Sequence, residues 1–395
     1  MNFVFISPNF PDNYYQFTLA LRRRGVCVCA LADTPYELLS DEVKNSIDDY
    51  YQVSNLEDID EKIRAIGYFT FRHGKIDWIE SNNEYWLESD AFLRECFHVT
   101  SGFQPQDMAR MQHKSLMKEY FNKAKVKSAE AILLTDLESA LAFANQVGYP
   151  LVLKPDQGVG ASNTHKIYDE HMLKEVFAHS FAEPMLLEAY VNGRVFSYDG
   201  IVDLHGQVIF ETSHIYLNSL MDAVNEDLGT GCYSVLNLDD KVSQMGRAVI
   251  EAFAVRSRFF HLEFFELSED QRLGSKGDIL ALEVNMRPPG GFIPDMINYA
   301  NDFNVYQLWA DMIVDGTSNF KATYPYSCCF VGRKDNIGYK YDDAYLYEVY
   351  KANIMEVKRM PDIMATAMGN TVYIARFPTY EEVMEFVKEV NLETD

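Results

Sequence analysis

The chain has 395 residues, 35 of them Lys or Arg and 59 Asp or Glu, for a formal charge of −24. Such an acidic balance repels a polyanion unless a basic stripe gathers the positive charge, and no such stripe is legible, so nucleic acid is excluded as an expected partner. With 48% apolar residues the chain can core two or three domains. Its longest apolar run, Val26 to Ala32, is far short of the ~20 residues of a membrane helix, and the N-terminus lacks the basic-then-apolar order of a signal peptide. The expectation is a cytoplasmic protein with no membrane partner.

In chain order, Asn2 to Ile6 reads as a strand, Tyr14, Phe17 and Leu21 as one face of a helix, and Val26 to Leu31 as a second strand, the grammar of a parallel α/β domain. The intervening turn, SPNFPDN, has no glycine, which removes the G-x-G-x-x-G route to a dinucleotide. The six cysteines, Cys27, Cys29, Cys96, Cys232, Cys328 and Cys329, form no C-x-x-C pair and have no His at ligand spacing, so they read as buried reduced thiols rather than disulfides or zinc ligands. Thr135-Asp136-Leu137-Glu138 reads as a capping box opening a helix with Leu137, Leu141 and Ala144 on one face and Gly148 past its end.

That helix leads into an apolar strand, Leu151 to Leu153, closed by Lys154-Pro155 and followed by Asp156-Gln157-Gly158-Val159-Gly160-Ala161-Ser162. Gly158 and Gly160 let backbone N–H groups approach an anion, with Ser162 adding a hydroxyl and Lys154 a charge. The loop is not a Walker A motif, whose lysine follows its glycines, and a lone Gly-x-Gly also suits a hairpin. Further on, ILALEVNMRPPGG places Glu283 and Asn285 two apart on a strand, on one face, as oxygen ligands for a hard cation such as Mg²⁺. Glu263 sits inside the apolar strand FFHLEFFE, a costly position unless something cationic meets it. Arg287 beside the Pro288-Pro289-Gly290-Gly291 stop makes a second anion site. Near the C-terminus a strand at Thr371 to Ala375 precedes a helix opened by the Thr379-x-x-Glu382 box, with Val383, Phe386, Val387 and Val390 at helical spacing.

In this order the residues resemble the ATP-grasp ligases, over roughly the whole chain. Lys114 in RMQHKSLMKEYF resembles the family's first lysine, and Lys154 in YPLVLKP its second. Gln157 to Ser162 resembles the flexible glycine loop, LLEAYVNG (Glu188 to Gly193) the hinge strand, and Glu263, Glu283 and Asn285, with Arg287, the metal-binding end. The resemblance implies an α/β fold of ATP-grasp architecture: an N-terminal parallel α/β domain (1–100), a central nucleotide-binding α+β domain (101–325) and a small C-terminal α+β domain (326–395). It implies ATP with Mg²⁺ or Mn²⁺, and a ligase that converts a small-molecule carboxylate to an acyl phosphate for attack by an amine, with Lys154 and Arg287 at the reacting groups. Lys114, Lys154, Gln157, Gly158, Gly160 and Ser162 would meet the nucleotide, Glu188 would accept from the adenine amine, and the backbones of Ala189 and Val191 would complete the adenine contact. Lys118 reads as a solvent-exposed charge. Many members carry an acid for the ribose where Val195 stands here, and Asp199 is a weaker polar candidate nearby. Glu80, Asn82 and Glu84 in WIESNNEYW, and Arg333, are candidates for substrate contact, against readings as a solvated turn and a surface arginine. A homodimer is left open. The competing readings are a carboxylase or carbamoyl-phosphate-type enzyme using bicarbonate, and a nucleotide-binding regulatory protein without turnover.

Overall fold

The apolar strands that open the chain, β1 (Asn2–Ile6), β2 (Cys27–Ala32), β3 (Asp49–Gln52) and β4 (Trp78–Glu80), form a parallel sheet of order β3-β2-β1-β4. The computed structural model describes residues 1–158, 163–177, 181–217, 230–360, 365 and 368–394. Alternation divides this sheet between two cores. Val4, Ile6, Cys29, Leu31 and Ile79 face the helix Ile59–His73. Phe3, Phe5 and Trp78 face the other way, where Phe17 and Phe3 pack edge-on against Trp309, with ring centroids 5.0 and 5.9 Å apart. Trp309 lies on the helix Val305–Asp315, so the first sheet shares its core with a segment three hundred residues away.

A second, antiparallel sheet comprises β5 (Ala131–Leu133), β6 (Leu151–Pro155), β7 (His165–Ile167) and β8 (Met185–Ala189), in the order β5-β8-β6-β7. The helix Leu137–Val147 covers it through Ala140, Phe143 and Ala144. Its N-cap is Asp136, whose carboxylate accepts from the Ser139 amide at 2.7 Å, and not Thr135, whose hydroxyl instead donates to Asp136. A carboxylate is the stronger acceptor for orphan amides, so the cap falls one residue later than the box pattern suggests.

The third sheet contains β9 (Gly193–Val202), β10 (Val208–Tyr216), β11 (Gly231–Ser234), β12 (Arg258–Leu267), β13 (Ile279–Asn285), β14 (Ser327–Arg333), β15 (Ile354–Arg359) and β16 (Thr371–Phe377), in the order β13-β12-β9-β10-β11-β14-β16-β15. The expected boundary near residue 325 therefore lies between strands of one sheet, with Gly231 of β11 paired to Val331 of β14. One face is apolar: Phe196, Tyr198, Phe260, Leu262 and Phe264 pack with the helix Asp240–Ala252. That helix approaches closely at Gly246, where a Cβ would stand 2.3 Å from the Tyr198 ring. The opposite face carries Ser197, Asp199, His261, Glu263, Glu283 and Asn285 in register across β9, β12 and β13. The C-terminal capping box forms as expected, Thr379 and Glu382 each bonding the other's backbone amide.

Candidate active site

The site begins where β6 ends. Asp156, buried just past the strand, accepts from the Ser115 amide at 2.8 Å, the Ser115 hydroxyl at 3.1 Å and His113 Nδ1 at 2.8 Å, while its carbonyl accepts from the Lys114 amide at 2.9 Å. These bonds satisfy amides at the N-terminus of the helix Lys114–Lys123, which has no cap of its own, and they clamp the helix to the strand. The clamp carries Lys114 to the loop: its Nζ donates to the carbonyl of Gly158 at 2.9 Å. Gly158 adopts φ 130°, a backbone conformation suited to glycine. Gln157 is exposed beside it; Gly160 and Ser162 lie outside the described residues.

Lys154 is buried and its Nζ is 2.6 Å from Glu188 Oε2. Glu188 Oε1 accepts from Lys118, whose ammonium also donates to the Ala129 carbonyl at 2.8 Å. Lys118 is thus a half-buried partner rather than an exposed charge. Burial pushes the Glu188 carboxyl up, but Lys118 and Lys154 outweigh it and hold it at about 2. Burial lowers the Lys118 ammonium despite Glu188, whereas Lys154, also buried, ends above its usual range through Glu188 and then Glu283 and Glu263. Both Glu188 oxygens are therefore engaged by lysines. The Ala189 amide likewise donates to the Glu130 carbonyl at 2.9 Å. Val191 is buried with Leu267 and Leu280, and Val195 pairs with Phe265 on β12.

Across the cleft, Glu263 and Glu283 stand directly opposite each other on β12 and β13, and His261 opposite Asn285. Like charges so paired repel, and the acids are met from two sides. Lys114 Nζ lies 3.7 Å from Glu283 Oε2, and His261 Nε2 lies 3.4 Å from Glu263 Oε1. Burial raises the Glu283 carboxyl, but Lys114 and then Lys154 outweigh it and lower it. The Asn285 side-chain nitrogen donates to Glu283 Oε1 at 3.4 Å, and the two carboxylates beside the Asn285 amide form a donor set that fits a hard divalent cation.

Behind this set is a buried network not legible in the sequence. Asp199, offered above as a polar candidate near a ribose, is instead sealed and accepts from His261 Nδ1 at 2.5 Å, His214 Nδ1 at 2.7 Å and Ser197 Oγ at 2.5 Å. Burial disfavours the His261 imidazolium, yet Asp199 and Glu263 raise its pKa to about 9. A charged His261 thus braces Glu263 from behind.

The WIESNNEYW segment divides. Glu80 is buried between Arg94 and Arg258 and ties β4 to the neighbouring elements. Asn82 takes φ 55° and its carbonyl accepts from the Tyr14 hydroxyl at 2.7 Å. Glu84 alone reaches the cleft, with Oε2 3.7 Å from Arg287 Nε and sealed without a hydrogen-bond partner. Burial lifts its carboxyl to about 7, with Arg287 opposing and Glu283 adding to the rise. Arg333 is no surface arginine: it is buried, donating to the Val390 carbonyl and pairing with the exposed Asp343.

Residues 110–212 match the family described as carbamoyl-phosphate synthase L chain, ATP binding domain. The chain is 23% identical over 275 residues to the L-arginine-specific L-amino acid ligase of Bacillus subtilis, covering 66% of this chain and 62% of that protein. It thus spans about three fifths of that relative's length. The crystal structure of an L-amino acid ligase from Bacillus licheniformis superposes with a TM-score of 0.73 at 15% identity, covering 99% of this chain and 96% of that one. The biotin carboxylase domain of Hydrogenobacter thermophilus 2-oxoglutarate carboxylase, in complex with MgADP and bicarbonate, gives 0.71 at 16% identity, covering 97% and 88%. Among the described residues no helix is long and apolar enough to cross a membrane.

Proposed function

We propose that the chain is an ATP-grasp enzyme, an ATP-dependent ligase joining a small-molecule carboxylate to an amine, with amino acids as the first substrates to try. The observation that carries the reading is the position of Lys114, which touches the glycine loop at Gly158 and the acidic set at Glu283. One side of the cleft has two lysines around a single carboxylate, Glu188; the other has two carboxylates, Glu263 and Glu283. That polarity suits a nucleotide triphosphate accompanied by a divalent cation.

In this reading Lys114 and Lys154, with Gln157, Gly158, Gly160 and Ser162 of the loop, meet the phosphates, and Glu188 positions Lys154. Val191, with the backbone beside it, lines the adenine. Glu263, Glu283 and Asn285 would hold Mg²⁺, which would neutralise charge on the phosphate oxygens. Arg287 offers its planar fork to the substrate carboxylate. A carboxylate oxygen attacks the γ-phosphorus and ADP leaves; the amine nitrogen then attacks the acyl carbon, phosphate leaves, and the nitrogen loses a proton. Glu84, next to Arg287 and titrating near neutrality, is the group suited to take that proton. The protein supplies position and charge, and no covalent enzyme intermediate is required.

Pairwise screening of amino acids for ATP-dependent phosphate release tests this. Release that requires both a carboxylate and an amine supports a ligase. The family match at 110–212 and the likeness to a biotin carboxylase favour one second reading, with bicarbonate as the activated carboxylate. ADP formation stimulated by bicarbonate alone and indifferent to amino acids would install it instead.

A further inference from the structure

Cys27 and Cys29 are two apart on β2, so both thiols leave the same face of the first sheet. The helix Ile59–His73 packs over that face and ends at His73. Among the described residues these three form the one group of His, Cys, Asp or Glu side chains whose ligand atoms all lie within 4.8 Å of one another. Cys27 Sγ is 3.7 Å from His73 Nδ1. Sulfur at ~2.3 Å and nitrogen at ~2.0 Å from a tetrahedral zinc ion stand about 3.5 Å apart, so this edge is close to the length a bound ion needs.

The imidazole is also oriented for the role. His73 Nε2 lies 2.7 Å from Asp49 Oδ2, so the proton on Nε2 is donated to the carboxylate and the Nδ1 lone pair is turned toward the thiols. A carboxylate behind a ligating histidine is the outer-shell arrangement that fixes the tautomer and raises ligand basicity. Cys29 is fully buried, while Cys27 and His73 keep partial exposure, which gives an ion a route in and water a fourth position.

We propose that Cys27, Cys29 and His73 bind a thiophilic divalent cation of the zinc class, with Asp49 holding His73. Binding releases one proton from each thiol, and the two thiolates balance the ion's charge, so the half-buried site becomes neutral. The acidic set of the cleft differs in kind, since its oxygen ligands select a hard cation. The histidine lies forty-four residues beyond the second cysteine, which is why spacing alone shows no metal pattern here.

The test is a Co²⁺ titration of the reduced, chelator-treated full chain in excess Mg²⁺. A saturable thiolate-to-cobalt charge-transfer band at one ion per chain, lost on adding Zn²⁺, is expected; carboxylates and amides cannot give that band. Cys27→Ser and His73→Gln should each weaken binding at least tenfold, and Asp49→Asn about 10–100-fold with the band retained. Glu283→Gln should leave it unchanged. A folded wild-type chain with no charge-transfer band, or binding unaltered in Cys27→Ser and His73→Gln, overturns the proposal. Should those variants misfold, maleimide labelling of the wild type decides: stoichiometric Zn²⁺ must protect Cys27, and equal labelling with and without the ion refutes the site.

Discussion

Lys154 and Glu84 show how burial and charge set the behaviour of single residues in the cleft. Replacing Lys154 by Ala removes a charge-assisted contact to phosphate worth ~1.5–3 kcal/mol, which should weaken ATP at least tenfold. Glu188 keeps Lys118 as a partner, so the fold should survive; calorimetry showing unchanged ATP affinity would remove Lys154 from the site. Glu283→Gln keeps shape but lowers the negative charge, so activity should persist only at raised Mg²⁺, and full activity at ordinary Mg²⁺ would make Glu283 structural. For Glu84 the sign follows from linkage. Its carboxyl is raised from 4.5 to about 7 in the folded chain, so its contribution to stability is complete below pH ~4.5 and is lost as pH rises through about 7. The loss is on the order of 3 kcal/mol. Thermal melts of Glu84→Gln should therefore fall less between pH 5 and 8 than those of the wild type. Parallel slopes would show that Glu84 is not held protonated.

At the scale of elements, the decisive joint is between β6 and the helix Lys114–Lys123, made by the Asp156 carboxylate. Asp156→Asn keeps the size but weakens bonds to the Ser115 amide and His113, so Lys114 should lose its fixed approach to Gly158. The expected result is a rise in the KM for ATP of about tenfold with little change in melting temperature, since a partly satisfied cap costs roughly 1 kcal/mol; an unchanged KM would mean that the clamp does not position Lys114. This scale also marks the limit of the sequence. The places of Lys154, Glu283 and Asn285 on their strands are legible because each depends on a local pattern, a strand ending at a glycine loop or alternation on one strand. Lys118 is not: four residues from Lys114 on a helix it reads as solvent-facing, and its partner Glu188 lies seventy residues away. The Asp199, His214 and His261 network is hidden likewise, because three strands must pair before the side chains meet. Glu80, read as part of a solvated turn, and Arg333, read as a surface arginine, prove to be buried for the same reason.

For the whole molecule, the order of elements is legible and their sharing of cores is not. The α/β opening, the lysine strand and the acidic strand are each apparent from periodicity, and their order carries the resemblance to the ATP-grasp ligases. That β14 and β16 extend the same sheet that presents the acidic set, and that Trp309 completes the core of the first sheet, depends on contacts across hundreds of residues. One sheet thus links the cleft to the C-terminal strands. The central claim, that ATP is spent in activating a carboxylate, is tested most directly with a carboxylate substrate labelled with heavy oxygen. If an acyl phosphate forms, one labelled oxygen must appear in the released phosphate for each product made, hydroxylamine must trap a hydroxamate, and Arg287→Lys must depress both because it keeps the charge but loses the planar fork. Phosphate released at full rate without label, and with no hydroxamate, would contradict the account.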